Sequence, residues 1–234
     1  GRSGLSGVRN ALNKRNLHLA ARGTYARNLT AVHSALFTIR RAEPDAVVMV
    51  GAYRPCAEFI KLSRTLGPVN VKRPEPKYVN ISFVGAQALA TELGESSEGV
   101  LVTQVVPLPW DASHKLIANY QRQLQAIGSG EEIGFVSLEG YIVGRLIVDA
   151  LKRVDGDLTR QAFLNAFYED HPFQVDGVEY RFSFGDNQGS DHVYLTRMNK
   201  EGKFDVILSS DVDLSREIAI PTKKVANQTE EAAN

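Results

Sequence analysis

The sequence predicts an α/β fold in which helices cover both faces of a parallel sheet. Strand-like and helix-like segments alternate along residues 1–107, with short connections between them. Residues 45–53 contain an apolar run without alternation, as expected for a strand that is covered on both faces. Parallel strands need crossover connections, usually helices, so both observations predict the same architecture.

Eight segments make up the alternating half. Helices are predicted where apolar residues recur every three or four positions, as Leu5, Val8 and Leu12 do, and strands where β-branched residues cluster. In chain order the segments are helix 5–15, strand 17–25, helix 29–42 with Thr30 as its N-cap, strand 45–53, helix 55–67, strand 79–86, helix 86–94 and strand 99–107.

The pattern changes near residues 108–112, which is the best candidate for a domain boundary. Three helices and then three strands follow, and the turn "NKEG" favours a hairpin between the last two strands. The polar residues after 220 lack periodicity and indicate a tail or linker. The predicted segments are helix 111–128 capped by Asp111 or Ser113, helix 135–154, helix 158–169 capped by Asp157, and strands 178–184, 192–199 and 203–210.

Composition excludes several classes of function. The 234 residues include 27 Lys plus Arg and 27 Asp plus Glu, so no net charge favours nucleic acid or an anionic membrane as partner. No apolar run approaches the roughly 18 to 20 residues of a membrane span. The single cysteine, Cys56, excludes an internal disulfide.

No motif for catalysis, cofactor or metal binding is evident. The stretch "GRSGLSG" has the wrong spacing for a dinucleotide loop, and no strand precedes it. No two of the five histidines have the i, i+4 spacing of a helical zinc site, and Cys56 has no cysteine partner. The sequence therefore predicts a protein that is not an enzyme and that needs no cofactor or metal.

Three predicted strands end in a glycine followed by polar or aromatic residues. These ends are "GTY" at 23–25, "GAYR" at 51–54 and "GAQ" at 85–87. In doubly wound sheets, ligands bind outside the carboxyl ends of the strands, where helix N-termini offer free N–H groups. The three strand ends predict a crevice for a small molecule. The alternative interpretation is that they are ordinary loop residues.

The order and spacing of several stretches resemble the type I periplasmic substrate-binding proteins, in particular the leucine/isoleucine/valine-binding branch of ABC importers. The resemblance covers roughly residues 1–208, and the order of its pieces is more specific than any one of them. The stretches are "GRSGLSGVRNAL", "DAVVMVGAYRPCAEFIKLSRTLG", "NISFVGAQALATELG", "EGVLVTQVVP", "SLEGYIVGRLIVDAL", "LTRQAFLNAF" and "DNQGSDHVYLTRMNKEGKF".

The resemblance implies two doubly wound α/β lobes, with the N-terminal part of the first lobe absent. Residues 1–107 would form the second, ligand-binding lobe, and 111–184 the returning segment of the first lobe. Residues 185–210 would be final strands near the hinge and second lobe, and 211–234 a tail or linker. Gly1 would match the glycine after an aromatic residue that ends the preceding strand. Helices 111–128 and 135–154 would then expose large apolar faces.

The resemblance also implies where a ligand binds. Tyr53 matches an aromatic ligand contact, and Gln87 stands where relatives carry an acidic residue that holds the ligand's ammonium group. An amide cannot supply that counter-charge, so amides and carboxylates become comparable to amino acids as ligands. Ala86, Tyr25 and Arg54 are further candidates, whereas we interpret Glu139 and Tyr141 as structural.

The implied function is non-enzymatic binding of a small polar solute between two lobes for ABC-type uptake. The partners would be the solute and either the membrane domains of an importer or a signalling receptor. The location would be the periplasm, peripheral to the membrane. A ligand-sensing ectodomain of a signalling receptor with the same fold is the alternative. An enzyme on a doubly wound sheet is the third hypothesis, but the sequence offers no nucleophile–base pair for it.

Overall fold

A five-stranded mixed sheet organises the computed structural model, which describes residues 1–128, 130–168 and 171–208. The described residues form seven α-helices and seven strands. The helices are α1 (Arg2–Asn13), α2 (His33–Arg41), α3 (Tyr53–Leu66), α4 (Ala86–Leu93), α5 (Lys115–Ile127), α6 (Phe135–Arg153) and α7 (Arg160–Asn165). The strands are β1 (Ala46–Met49), β2 (Lys77–Asn80), β3 (Leu101–Gln104), β4 (Phe173–Val175), β5 (Val178–Tyr180), β6 (Tyr194–Met198) and β7 (Phe204–Leu208).

The sheet has the order β1-β2-β3-β6-β7. Strands β1, β2 and β3 are parallel, and each is connected to the next through a helix, which confirms the predicted α/β class. Strand β6 joins β3 in antiparallel orientation and pairs with β7 as the predicted hairpin, where Gly202 has a φ of 70°. The final strands thus extend the sheet that the first half of the chain begins.

One face of the parallel strands is buried against α3 and α4. Alternate side chains of β1 and β2 are inaccessible, and Tyr78 lies against Arg64 of α3, whose guanidinium is 5.6 Å from the ring centroid. Helix α3 begins directly after the strand end, and Gly67, with a φ of 63°, ends it. The core residues on this side include Val47, Met49, Ala57, Ile60, Tyr78, Leu89 and Val102.

The opposite face of the same strands is only partly covered, so the prediction that residues 45–53 are covered on both faces is wrong. In β1 buried and exposed positions alternate, and Val48 remains 44% exposed. Helix α1 approaches this strand at Gly4, where an added Cβ would lie 2.6 Å from Val50, yet α1 buries none of its side chains. An unbroken apolar run therefore does not establish two covering layers.

The predicted strand 17–25 is absent from the described structure. A strand requires a hydrogen-bonded neighbour, and β1 is the edge of the sheet with β2 as its sole partner there. The segment still packs on the core, because Gly23 lies against Ala35 and Tyr25 against Gly51. The prediction of a strand here is therefore wrong, although Tyr25 packs against the core.

Three predicted helix caps are also wrong. Helix α2 begins after Val32 rather than Thr30, and α5 begins after His114, with Asp111 accepting hydrogen bonds from Ser113 before the helix starts. Helix α7 is shorter than predicted, and the hydroxyl of Thr159, not Asp157, accepts the hydrogen bond from the Ala162 N–H. A cap must reach the second or third N–H of its helix, so an error of two residues changes its identity.

The β4–β5 hairpin packs with helices α5 and α6, and these elements together are called the α5–α6 unit. Strands β4 and β5 pair through the turn Asp176–Gly177, where both residues have positive φ; β4 was not predicted, and β5 is shorter than the predicted strand 178–184. Helix α6 buries one side within this unit and exposes apolar side chains on the other side, as expected. The exposed fraction is 69% for Val136, 47% for Val143 and 41% for Ile147.

The predicted tail 211–234 lies outside the described residues. Among the described helices, none is long and apolar enough to cross a lipid bilayer.

Candidate functional site

The carboxyl end of β1 brings Tyr25 next to the first turn of α3. A Cβ at Gly51 would clash with the hydroxyl of Tyr25 and lie 3.1 Å from the thiol of Cys56. Glycine at this position therefore allows the phenol to rest on the backbone of the strand end. The structure thus joins two of the three strand ends that the sequence singled out.

Burial determines the chemistry of the groups beneath this turn. Burial and the neighbouring Cys56 raise the pKa of Tyr25. Together they outweigh a hydrogen bond from the Ala52 backbone, which lowers this pKa. Burial likewise raises the pKa of Cys56 to about 12. Both groups stay protonated at neutral pH, so Cys56 is a packed apolar side chain rather than a nucleophile.

The first turn of α3 presents Tyr53 and Arg54 toward the strand end. Tyr53 is half-buried, Arg54 is exposed, and the Arg54 guanidinium lies 5.7 Å from the centroid of the Tyr53 ring. No side chain caps α3, so the N–H groups of its first turn keep their capacity to bind acceptors. An aromatic wall, a cation and free N–H groups therefore adjoin one another here.

The carboxyl end of β2 places Ala86 and Gln87 in the first turn of α4. Gly85 has a φ of 78°, a conformation that glycine adopts without strain, and it turns the chain into the helix. Ala86 is buried and Gln87 is half-buried. The Nε2 atom of Gln87 donates a hydrogen bond to the Ile133 carbonyl at 3.1 Å.

The partner of Gln87 is the segment that leads into α6. A Cβ at Gly134 would overlap the Gln87 amide, so glycine allows the amide to approach the backbone this closely. The Gly134 N–H donates to the Tyr120 hydroxyl at 3.0 Å, and that hydroxyl is 2.6 Å from the Ser137 hydroxyl. Gln87 thus connects the sheet to the α5–α6 unit at the carboxyl ends of the strands.

Sequence reasoning missed two buried amides at the same edge of the sheet. Asn80 ends β2 and Gln104 ends β3, and both side chains are almost completely inaccessible. Neither Asn80 side-chain atom, nor Gln104 Nε2, has a hydrogen-bond partner among the described residues. Amides inside otherwise apolar strands were the available signal, because buried polar groups normally have partners.

These groups have the capacity to bind a polar molecule. Among the described residues no cluster of three or more His, Cys, Asp or Glu could hold a metal ion. Tyr53, Gln87 and the first turns of α3 and α4 provide an aromatic surface, an amide and free N–H groups. Two cavities of the molecule lie elsewhere, one beside α1 and one at the amino ends of the strands.

A parallel-rich sheet with polar and aromatic side chains at its strand ends, and with a helical unit joined to them through Gln87, is an arrangement that suits the class of α/β solute-binding proteins. Comparison with known families agrees with this class. The family model described as periplasmic binding protein matches residues 1–203, and the chain belongs to that family. No curated protein matches the sequence significantly.

Solved structures show the same fold. A possible leucine/isoleucine/valine-binding protein from Rhodopirellula baltica is 31% identical, with a TM-score of 0.72, and the match covers 80% of this chain and 49% of the other. A substrate-binding periplasmic protein from Ralstonia solanacearum is 22% identical, with a TM-score of 0.77 over 88% of this chain and 57% of the other. A branched chain amino acid ABC transporter from Thermus thermophilus with bound valine is 16% identical, with a TM-score of 0.67 over 86% and 54%. The chain spans about half the length of these structures.

Proposed function

We propose that this chain supplies one wall of a binding cleft for a small polar solute, an amino acid, amide or carboxylate, that an ABC importer takes up. The family and the fold support solute binding as the general activity. The Thermus structure, named for a branched-chain amino acid ABC transporter, contains valine. No chemical step is part of this proposal, and the periplasm is the proposed location.

The observation that carries the proposal is the position of Gln87. Its amide lies at the strand ends, bonded to the Ile133 carbonyl across from the sheet, where two parts of the chain meet. Cleft closure by hinge motion needs groups at such a junction that exchange contacts with a ligand. We assign Gln87 this exchange: its amide releases Ile133 and binds the solute.

The charge of the junction selects the chemistry of the solute. Gln87 is neutral, and burying an ammonium group without a counter-charge is costly. An amide nitrogen donates hydrogen bonds, so it suits a carbonyl or a carboxylate oxygen. Arg54 provides a nearby cation for a carboxylate, Tyr53 an apolar wall, and Tyr25 and Ala86 the packed floor of the two turns.

Thermal unfolding with a solute panel tests this proposal. The panel contains branched-chain amino acids, their amides and matched carboxylic acids, and a solute at about 100 times its Kd stabilises by about 2.7 kcal/mol. We expect the amides or acids to raise the Tm at least as much as the amino acids do. The variant Gln87→Glu should shift the preference toward ammonium-bearing solutes.

The matched control is Gln125→Glu, which makes the same chemical change on the exposed side of α5. We expect it to leave every solute response unchanged. Strong stabilisation of the wild type by branched amino acids alone, unaltered by Gln87→Glu, contradicts the proposed role of Gln87. No stabilisation by any solute of the panel contradicts the proposed solute class.

A further inference from the structure

A second cavity lies at the opposite end of the strands from Gln87. It has a volume of about 320 Å³ and is bounded by the ends of α2 and α3, the starts of β1 and β2, and residues 67–76. That size falls at the lower end of the range for small-molecule sites. Because it lies at the amino ends of β1 and β2, the cavity is separate from the proposed solute site.

The segment 67–76 covers the cavity and is held by ion pairs. Arg64 contacts Glu75 at 2.8 Å, and Arg73 contacts Asp45 at 2.5 Å and Glu43 at 3.7 Å. These side chains are partly or largely exposed, so each pair contributes little to stability. Breaking these ion pairs therefore costs little free energy, so segment 67–76 can move away from the cavity and return.

The charges around the cavity leave one cation without a carboxylate. Arg73 is paired with both Glu43 and Asp45, and Arg64 with Glu75. Arg40 has no carboxylate within ion-pair distance among the described residues. Arg40 uses Nη1 for the carbonyls of Ser63 at 3.4 Å and Gly67 at 2.5 Å. Its Nε and Nη2 donors have no partner in the described chain, and a guanidinium fork matches a carboxylate.

The floor of the cavity contains a hydroxyl that lacks a partner. Tyr78 lines the cavity and is 1% exposed, and its hydroxyl makes no hydrogen bond of normal geometry, although Ser63 and Glu75 lie close. Burial raises the pKa of Tyr78, so the hydroxyl stays protonated and able to donate. An unpaired buried hydroxyl costs free energy until an acceptor reaches it.

The remaining lining is mostly apolar. Pro44, Pro68, Val69 and Pro76 contribute it, beside the polar side chain of Asn70. Proline rings have few conformations to lose when a ligand packs against them. They suit a compact apolar body rather than a long polar chain.

We propose that this cavity is a second binding site, for a small monocarboxylate with a compact apolar body, whose carboxylate accepts hydrogen bonds from Arg40 and from the Tyr78 hydroxyl. The carboxylate would bind Arg40, whose guanidinium otherwise contacts only backbone carbonyls. Entry follows opening of segment 67–76. The inference does not depend on the function proposed for the Gln87 site.

Isothermal titration of this chain with benzoate tests the site, with benzamide as the uncharged probe. We expect one benzoate per chain and much weaker binding of benzamide. Arg40→Gln should weaken benzoate binding about tenfold or more, and Tyr78→Phe about fivefold, as expected for loss of a charged and a neutral hydrogen bond. Arg41→Gln, the exposed neighbour on the same helix, should have no effect.

Three results would overturn the proposal. The first is that benzoate does not bind at millimolar concentration. The second is that wild type, Arg40→Gln and Tyr78→Phe bind benzoate equally. The third is that Gln87→Glu loses binding while Arg40→Gln keeps it, which would place benzoate at the Gln87 site. Circular dichroism establishes that each variant is folded. Should Arg40→Gln fail to fold, Tyr78→Phe alone decides, because it removes only the hydroxyl.

Discussion

Helices α3 and α6 have similar apolar content but different surroundings. Six side chains of α3 are buried, and α4 and the sheet lie over them. Helix α6 buries five side chains along one side and exposes Val143 and Ile147 on the other. Apolar periodicity shows that a helix has a face to bury, and the neighbouring layer decides whether that face is buried.

The two regions also differ in their polar contacts. One continuous apolar core includes Val47 and Ile60 of the sheet region and Ile142 of α6. To this packing the α5–α6 unit adds a polar cluster, in which Asp176 of the β4–β5 turn accepts hydrogen bonds from Asn119 at 2.6 Å, Tyr141 at 2.8 Å and Arg145 at 3.0 Å. The sequence did not reveal this cluster.

The largest expected effect compares two isoleucines. Ile60 is fully inaccessible in α3, whereas Ile147 in α6 is 41% exposed. We expect Ile60→Ala to lower the free energy of unfolding by about 2–5 kcal/mol because it leaves a cavity. Ile147→Ala should cost less than about 1 kcal/mol, since little burial is lost and alanine favours helix.

Urea denaturation followed by circular dichroism measures both variants. Each isoleucine is the control for the other, because the chemical change is identical. Equal losses would mean that α6 is as well covered as α3, and would contradict the comparison.

The next effect concerns the polar cluster. Burial would raise the pKa of Asp176, but hydrogen bonds from Tyr141 and Asn119 and the charge of Arg145 outweigh it and hold the pKa below its ordinary 3.8. Asp176→Asn should cost about 1–3 kcal/mol at pH 7, because a largely buried carboxylate that accepts three hydrogen bonds loses its charge. Asparagine tolerates the positive φ at this position, so the backbone is not strained.

The pH dependence identifies the cause. A carboxyl whose pKa is lowered by folding adds stability above its unfolded pKa of about 3.9, and loses it as the pH falls through the folded value. The difference between wild type and Asp176→Asn should therefore be full at pH 6 and shrink below pH 4. Asp157→Asn, an exposed control, should show no such difference; a constant gap for Asp176→Asn down to pH 2 would exclude the charge as the cause.

The smallest effect on stability is expected on the open side of α6. Val143→Lys places a charge where the side chain is 47% exposed, so stability should change by about 0.5 kcal/mol or less. Binding of a hydrophobic dye and self-association at high concentration should fall, because the apolar surface is interrupted. Glu139→Lys, one turn earlier and exposed, is the control for charge; an equal fall in dye binding there would refute the apolar explanation.

Much of the fold was predictable because its signals are local. Helices α3, α4 and α6 follow from periodicity, β1 and β3 from apolar runs, and the β6–β7 turn from its glycine. The strand predicted over 79–86 is wrong in its bounds, because β2 is Lys77–Asn80 and a short 3-10 helix follows at Ser82–Val84. The Asp176–Gly177 turn carried an equally strong hairpin signal that was overlooked. The caps Val32, His114 and Thr159 were missed because sequence patterns fix helix ends only to within a few residues.

For the candidate site, the sequence by itself determined which residues follow β1 and β2, namely Tyr53, Arg54, Ala86 and Gln87, but it wrongly placed Tyr25 at the end of a strand. Only the tertiary structure decided that Tyr25 rests on Gly51 and that Gln87 reaches Ile133, 46 positions away. It also decided which faces are buried and that Tyr78 lines a second cavity. Residue order sets local conformation through short-range sterics and hydrogen bonds, whereas burial and pairing depend on segments that are distant in sequence.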